Sequence, residues 1–343
     1  MVRDGTVSGD MYGERIYHDP VTFSQGFSGP NGEGSVWYVD GTHGATGGNG
    51  KSWRSAFSTI QAAVTAAGPG DTIYVTAQDI TDFTGDPTSY TESIIIPAAT
   101  SNLSIIGISR GRTQGGLPQI KVGTVTTTPI LTIRAPGCLI ANLGFNGAGC
   151  TGGGILLDDD YATKSAFGTS IIGCHFKNCV GTTATNAATG GAIMWTAAGN
   201  AWQVLIKGNR FYKNVGDVVL KGTSNTAPQD VVIEDNIFSG PAASVDCNLY
   251  LSGGSGMNGV IIKDNIFGQL PALSLATTSR YISATGCVGM LVGNDFGCVT
   301  DAAGTELTFK VSGTAANIPV TMHVVRNYGQ SETDGVTGEI NIS

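Results

Sequence analysis

The stretch Val231-Val232-Ile233-Glu234-Asp235-Asn236-Ile237-Phe238 returns as Val260-Ile261-Ile262-Lys263-Asp264-Asn265-Ile266-Phe267. Looser copies are Val204-Leu205-Ile206-Lys207-Gly208-Asn209-Arg210-Phe211 and Gly289-Met290-Leu291-Val292-Gly293-Asn294-Asp295-Phe296. A short unit of this kind cannot bury its own apolar side chains. It must stack on copies of itself, and that requirement constrains the fold more than composition does. The aromatic of each unit falls at Phe145, Phe176, Phe211, Phe238, Phe267 and Phe296, at steps of 27–35 residues, and Tyr328 is expected to continue the series. An Asn shortly precedes it at Asn142, Asn209, Asn236, Asn265, Asn294 and Asn327, with Cys174 in its place in one unit.

A second strand-like run precedes each copy, at residues 130–134, 154–157, 192–195, 217–221, 248–251, 281–284 and 307–311. These runs are rich in Ile, Val, Leu, Tyr or Thr and are bounded by Gly, Asn, Asp or Pro, the marks of short strands between turns. One unit is therefore expected to be strand, turn, strand, turn. No helical pattern lies between the strands, which argues against βαβ units, and the uneven unit lengths argue against a propeller. The expected fold is an all-β solenoid in which each coil climbs about 4.8 Å and pairs in parallel with the one below. Ile and Val point inward, Asn takes the left-handed bend and ladders with its equivalents, and Phe fills the corner.

The chain has 343 residues, 41% hydrophobic and only 13% charged, with net charge −8. It is a folding composition, and the absence of a basic stripe argues against a nucleic-acid partner. No run of apolar residues is long enough to span a membrane, and no secretory signal is evident at Met1, so synthesis and folding in the cytoplasm are expected. Seven cysteines, Cys138, Cys150, Cys174, Cys179, Cys247, Cys287 and Cys298, lack metal-ligand spacing. They read as free thiols filling interior or turn positions, which suits a reducing compartment. No metal site is expected.

Residues 1–35 are Gly-rich, yet carry Tyr12, Ile16, Tyr17, Phe23 and Phe27. A floppy tail usually has few aromatics, so the segment is read as an arm that docks on a partner. Val36-Trp37-Tyr38-Val39-Asp40-Gly41 is a strand and turn. Ser58-Thr59-Ile60-Gln61 is a capping box, with Ser58 as the cap of a short helix whose apolar face is Ile60, Ala63, Val64 and Ala67. Gly68-Pro69 ends that helix. Asp71-Thr72-Ile73-Tyr74-Val75 is the next strand. A helix here would cover the open end of the coil stack. Residues 36–80 thus open the solenoid and residues 90–343 form its coils.

These segments, with Ala56-Phe57-Ser58-Thr59-Ile60-Gln61-Ala62-Ala63-Val64 between them, resemble the opening of right-handed parallel β-helix proteins of the pectate-lyase-like superfamily. The resemblance covers about residues 36–330 and implies the right-handed form of the solenoid. It implies fold more than chemistry, because the superfamily holds polysaccharide lyases, glycoside hydrolases and epimerases beside bacteriophage tailspike, fibre and capsid-surface proteins.

Paired carboxylates across a sugar would mark a hydrolase. The densest acidic cluster is Asp158-Asp159-Asp160, at a strand exit. It would take Ca²⁺ as its only cofactor, but a solvated turn explains it more simply, and no cofactor is expected. Lys207, Arg210, Lys213 and Lys221 form the nearest basic cluster. Lys207 and Lys263 hold one repeat position with Glu234 between them, which reads as alternating surface charge. His175 reads as a corner histidine. Trp195 and Trp202 bracket one loop, and offer glycan contacts if they are exposed.

The resemblance, together with the missing export signal, implies a homotrimeric virion protein of a tailed bacteriophage, expected on the virion surface as a spike, fibre or capsid decoration. Residues 1–35 would dock on other virion proteins, and the rod would touch host surface polysaccharide. The alternative is a polysaccharide lyase or glycoside hydrolase, with Asp158 and Asp160 as acids or cation ligands and Arg210 or Lys213 on an acidic sugar.

Overall fold

The computed structural model describes residues 34–78, 89–108, 116–124, 126–148, 150–158, 166–182, 187–195, 202–221, 228–240, 247–268, 280–298, 321–330 and 337–339. The aromatics of the arm, Asp159, Asp160 and the run 307–311 lie outside them.

The chain is a right-handed parallel β-helix of nearly pure β-structure with one short α-helix. Each full coil carries three strands, not the two expected, because the strand after the Asn corner and the strand after the next bend lie on separate faces. In the coil that begins at Leu205–Lys207, the second face follows as Arg210–Tyr212 and the third as Val218–Lys221. First-face strands pair in parallel from Val36–Val39 through Thr72–Thr76, Ser104–Ile108, Leu139–Ala141, Ser170–Ile172, Leu205–Lys207 and Val232–Glu234. Two long strands, Cys247–Lys263 and Arg280–Val292, bend from the third face onto the first and join the two in one 15-stranded sheet. The second face is a 10-stranded sheet, closed at its end by Thr337–Glu339, which pairs antiparallel to Tyr328–Gln330.

The core is a set of columns in register. On the first face Ile73, Ile105, Ile140, Ile171, Ile206, Ile233, Ile262 and Leu291 stand above one another and are all buried. On the second face Tyr90, Ile120, Phe145, Phe176, Phe211, Phe238, Phe267 and Phe296 do the same. Parallel in-register strands place identical rings one strand spacing apart. Successive Phe centroids from Phe145 to Phe296 are accordingly 4.6–5.1 Å apart with interplanar angles of 8–15°. The series ends there. Gly329, not Tyr328, stands in register with Phe296, and Tyr328 is exposed.

The Asn column lies at the corner between the first and second faces. Asn209, Asn236, Asn265 and Asn294 each donate from Nδ2 to the Oδ1 of the Asn in the next coil, at 2.8–3.0 Å, and to a main-chain carbonyl of the coil before. Each Oδ1 from Asn236 to Asn327 also accepts the main-chain N–H of the Asn before it. The left-handed bend falls one residue earlier than expected, at Gly173, Gly208, Asp235, Asp264, Gly293 and Arg326, with φ of 51–69°. Glycine or a short polar residue holds most of these positions, as that backbone requires. Asn142 belongs to this left-handed column (φ 55°), and Leu143 takes the inward place that Asn holds in later coils.

The helix Ile60–Ala66 buries Ile60, Ala63 and Val64 beneath the first coils. Its cap is Thr59, whose side chain accepts from the Ala62 N–H at 3.3 Å, rather than Ser58. The amides of Ile60 and Gln61 donate instead to the carboxylate of Glu92, at 2.9 and 2.8 Å. Gln61 Oε1 does not reach back but accepts from Ile95 N–H.

Candidate functional site

The basic residues of the repeat lie on the outside of the first and second faces. Lys207, Glu234 and Lys263 stand in register on three successive coils. Lys207 Nζ is 2.7 Å from Glu234 Oε1, and Lys263 Nζ is 2.7 Å from Glu234 Oε2. The two lysines hold the Glu234 carboxyl below its ordinary range, and Glu234 holds both ammonium groups above theirs. Lys207 also reaches Asp235 at 3.4 Å. The alternating charge is thus a clasp between coils.

Beside it a cleft of about 410 Å³ runs along the corner, lined among others by Gly173, Lys207, Gly208, Arg210, Asp235 and Ile237. Arg210 is exposed, and its guanidinium has no ion pair or side-chain hydrogen bond among the described residues. The left-handed glycines at positions 173 and 208 present no side chain at the corner. The cleft can therefore hold an anion against an available guanidinium. Lys213 follows on the same turn in a left-handed conformation, its Nζ 5.1 Å from the Tyr212 ring centroid.

Asp158 is not near this cleft in the fold. It follows the third-face strand Ile155–Leu157, is buried, and accepts from Arg134 Nε at 2.9 Å. Its carboxylate is occupied within the fold, so among the described residues it does not join Arg210 or Lys213 in one site. Trp195 and Trp202 also part. Trp195 stands in register with Leu157 on the inward side of the third face and is 3% exposed, so it offers nothing to a glycan. Trp202 is 46% exposed at the corner leading into the first face. Its carbonyl accepts from Gly168 N–H at 2.7 Å, which brings Phe167, 43% exposed, to the same corner one coil earlier. Phe167 was not singled out from the sequence. Its signal is the equivalent place before a left-handed residue, Gly168 in one coil and Gln203 in the next.

Inside the rod lies a third polar group. Asp217 is buried, accepting from Asn214 Nδ2 at 2.9 Å and Asn248 Nδ2 at 2.7 Å, and burial pushes its carboxyl up to about 7. Among the described side chains six thiols are free and buried, and burial pushes Cys138, Cys174 and Cys287 up to about 12. Among the described residues no His, Cys, Asp and Glu side chains gather into a metal-binding group, and no helix is long and apolar enough to cross a membrane.

No protein-family model matches this chain, and no curated protein matches it. Among solved structures it is similar to the native GH136 lacto-N-biosidase from Eubacterium ramulus at 11% identity and TM-score 0.44, over 76% of this chain and 64% of that one. The chain thus spans less than two thirds of that enzyme. It is also similar to pectin methylesterase from carrot, at 14% identity and TM-score 0.37 over 90% of this chain and 86% of that one. A third likeness is to the deglycosylated pectin methylesterase from Aspergillus niger, at 10% identity and TM-score 0.29 over 92% and 93% of the two chains. These likenesses concern the parallel β-helix fold and carry no catalytic residue across.

Proposed function

We propose that this chain is a structural rod of a tailed-bacteriophage virion: a homotrimeric spike, fibre or capsid decoration, held to the particle by residues 1–35 and touching host glycans with its exposed corners. The observation that supports it most is the continuity of the axis. From Phe145 to Phe296 each coil is tied to the next by a stacked ring, and from Asn209 to Asn327 by a buried amide. Those amide groups are spent on the chain itself, and the Lys207–Glu234–Lys263 clasp spends outward charge the same way. Such a build suits a self-supporting rod. The free, buried thiols suit folding in a reducing cytoplasm, where virion proteins are made. The test is deletion of residues 1–35 in the virus. The rod should then accumulate in soluble form while particles assemble without it; particles that still carry it would overturn the docking role.

A second reading, a polysaccharide lyase or glycoside hydrolase, is favoured by one observation: Arg210, Lys207 and Asp235 share a cleft. Incubation with uronate polymers tests it. New reducing ends or an unsaturated product, lost in Arg210→Ala, would establish turnover; intact polymer would leave the rod as a binder at most.

A further inference from the structure

The exposed aromatics and the available guanidinium lie on the same two coils, at opposite ends of the same first-face strands. Phe167 precedes Ser170–Ile172, which leads to the cleft at Gly173. Trp202 precedes Leu205–Lys207, which leads to Gly208 and Arg210. The strand Leu205–Lys207, which runs between the two ends, covers roughly 10 Å at about 3.3 Å per residue. Between the two ends the outward side chains Ser170, Ile172 and Leu205 are half-buried and form a low floor.

Aromatic faces and a guanidinium recognise different parts of one kind of molecule. An exposed indole or phenyl ring packs against the C–H face of a sugar ring, and it keeps that role whatever the sugar's charge. A guanidinium without a partner takes a carboxylate or sulfate oxygen through paired N–H donors. Lys207 is already clasped by Glu234 and Asp235, so Arg210 rather than Lys207 supplies the charge that an anion would meet at the cleft. We propose that the first face and the corner that follows it, over residues 167–173 and 202–210, bind an acidic oligosaccharide laid along the strands. Phe167 and Trp202 stack one sugar ring at one corner, and Arg210 takes an anionic group at the other. The proposal rests on the reading that the rod touches glycans, and adds the charge class and the second contact point. It does not depend on how the rod is attached to a particle.

The test is calorimetric titration of the full chain with short oligomers of galacturonate, short oligomers of dextran sulfate and neutral cello-oligomers. At least one acidic probe should bind about tenfold more tightly than the neutral one, the size of effect a charge-assisted contact gives. The better acidic probe tells a carboxylate site from a sulfate site. Arg210→Gln should remove the gap between acidic and neutral sugars. Trp202→Ala should weaken every sugar about tenfold, as expected for loss of a stacking ring. Both side chains are exposed, so circular dichroism should report unchanged folding in each variant. If neutral and acidic sugars bind equally, or if Arg210→Gln preserves the gap, the acidic site is overturned while glycan contact stands. If no probe binds, the acidic site and the glycan contact both fall, and the docking role of residues 1–35 is untouched.

Discussion

Asp217 is buried in a rod whose other inward positions are mostly aliphatic or aromatic. Two amide N–H donors, from Asn214 and Asn248, stand in for the water its carboxyl would have had, and burial outweighs them. Its folded value of about 7 lies above the ordinary 3.8. An acid with a raised folded value loses nothing below both values. Between about pH 4 and about pH 7 the unfolded chain releases this proton and the folded chain keeps it, so stability falls as pH rises through that window. Wild-type stability should therefore drop by about 2–3 kcal/mol between about pH 5 and about pH 8, on the scale of 1.36 kcal/mol per pKa unit. Asp217→Asn should flatten the dependence. Its new Nδ2 gains an acceptor once the Asn248 amide turns over, since Asn248 Oδ1 has no hydrogen-bond partner among the described residues. Urea midpoints of the two proteins at both pH values check this, and parallel curves would show that Asp217 carries no unusual proton.

At the scale of the corner, the amide column should fail as a unit. Removing Asn236 takes the acceptor from the Asn209 N–H and from one Nδ2 proton of Asn209, whose other proton stays on the Ile171 carbonyl, and it removes the side-chain donor to the Ile206 carbonyl. Each buried orphan costs about 1–3 kcal/mol, so Asn236→Ala should cost roughly 3–5 kcal/mol in chemical denaturation. Loss of less than about 1 kcal/mol would mean that water enters the corner and replaces the amide. The N-terminal helix gives a milder case. Glu92 accepts two first-turn amides from 31 and 32 residues away, and Glu92→Ala should cost about 1–2 kcal/mol in thermal or urea unfolding. These elements differ in how much of them the sequence shows. The Asn column is legible because one side chain recurs at one place, two residues before Phe211, Phe238, Phe267 and Phe296. Asn142 and Tyr328 break that spacing by a single residue, and the single residue decides: one becomes the left-handed bend, the other faces outward. Ser58 and Thr59 can each cap a helix, and the choice is made with Glu92, which no local pattern links to them.

Over the whole molecule, parallel coils turn a local repeat into long columns, so each residue's fate follows from its neighbours above and below. The solenoid was legible for that reason, and the candidate site was less so: exposure depends on register across coils, which separated inward Trp195 from outward Trp202 and paired the latter with Phe167. The same register bears on assembly. Val232, Ile261 and Met290 form an outward row on successive first-face strands beyond the glycan-facing coils, and Met290 is 41% exposed. The neighbouring column there is Glu234 and Lys263, already paired, so copies meeting along this face would not oppose bare like charges. Cyclic symmetry sets the same row at the same height in each copy. If the proposed trimer closes here, Ile261→Glu with Met290→Glu places unpaired carboxylates in its middle, each with a desolvation cost that the contact cannot recover. Sedimentation should then find a trimer for the wild type and a monomer for the double variant, with an unchanged circular dichroism spectrum because both side chains point away from the core. A trimer that survives both substitutions would place the contact on another face.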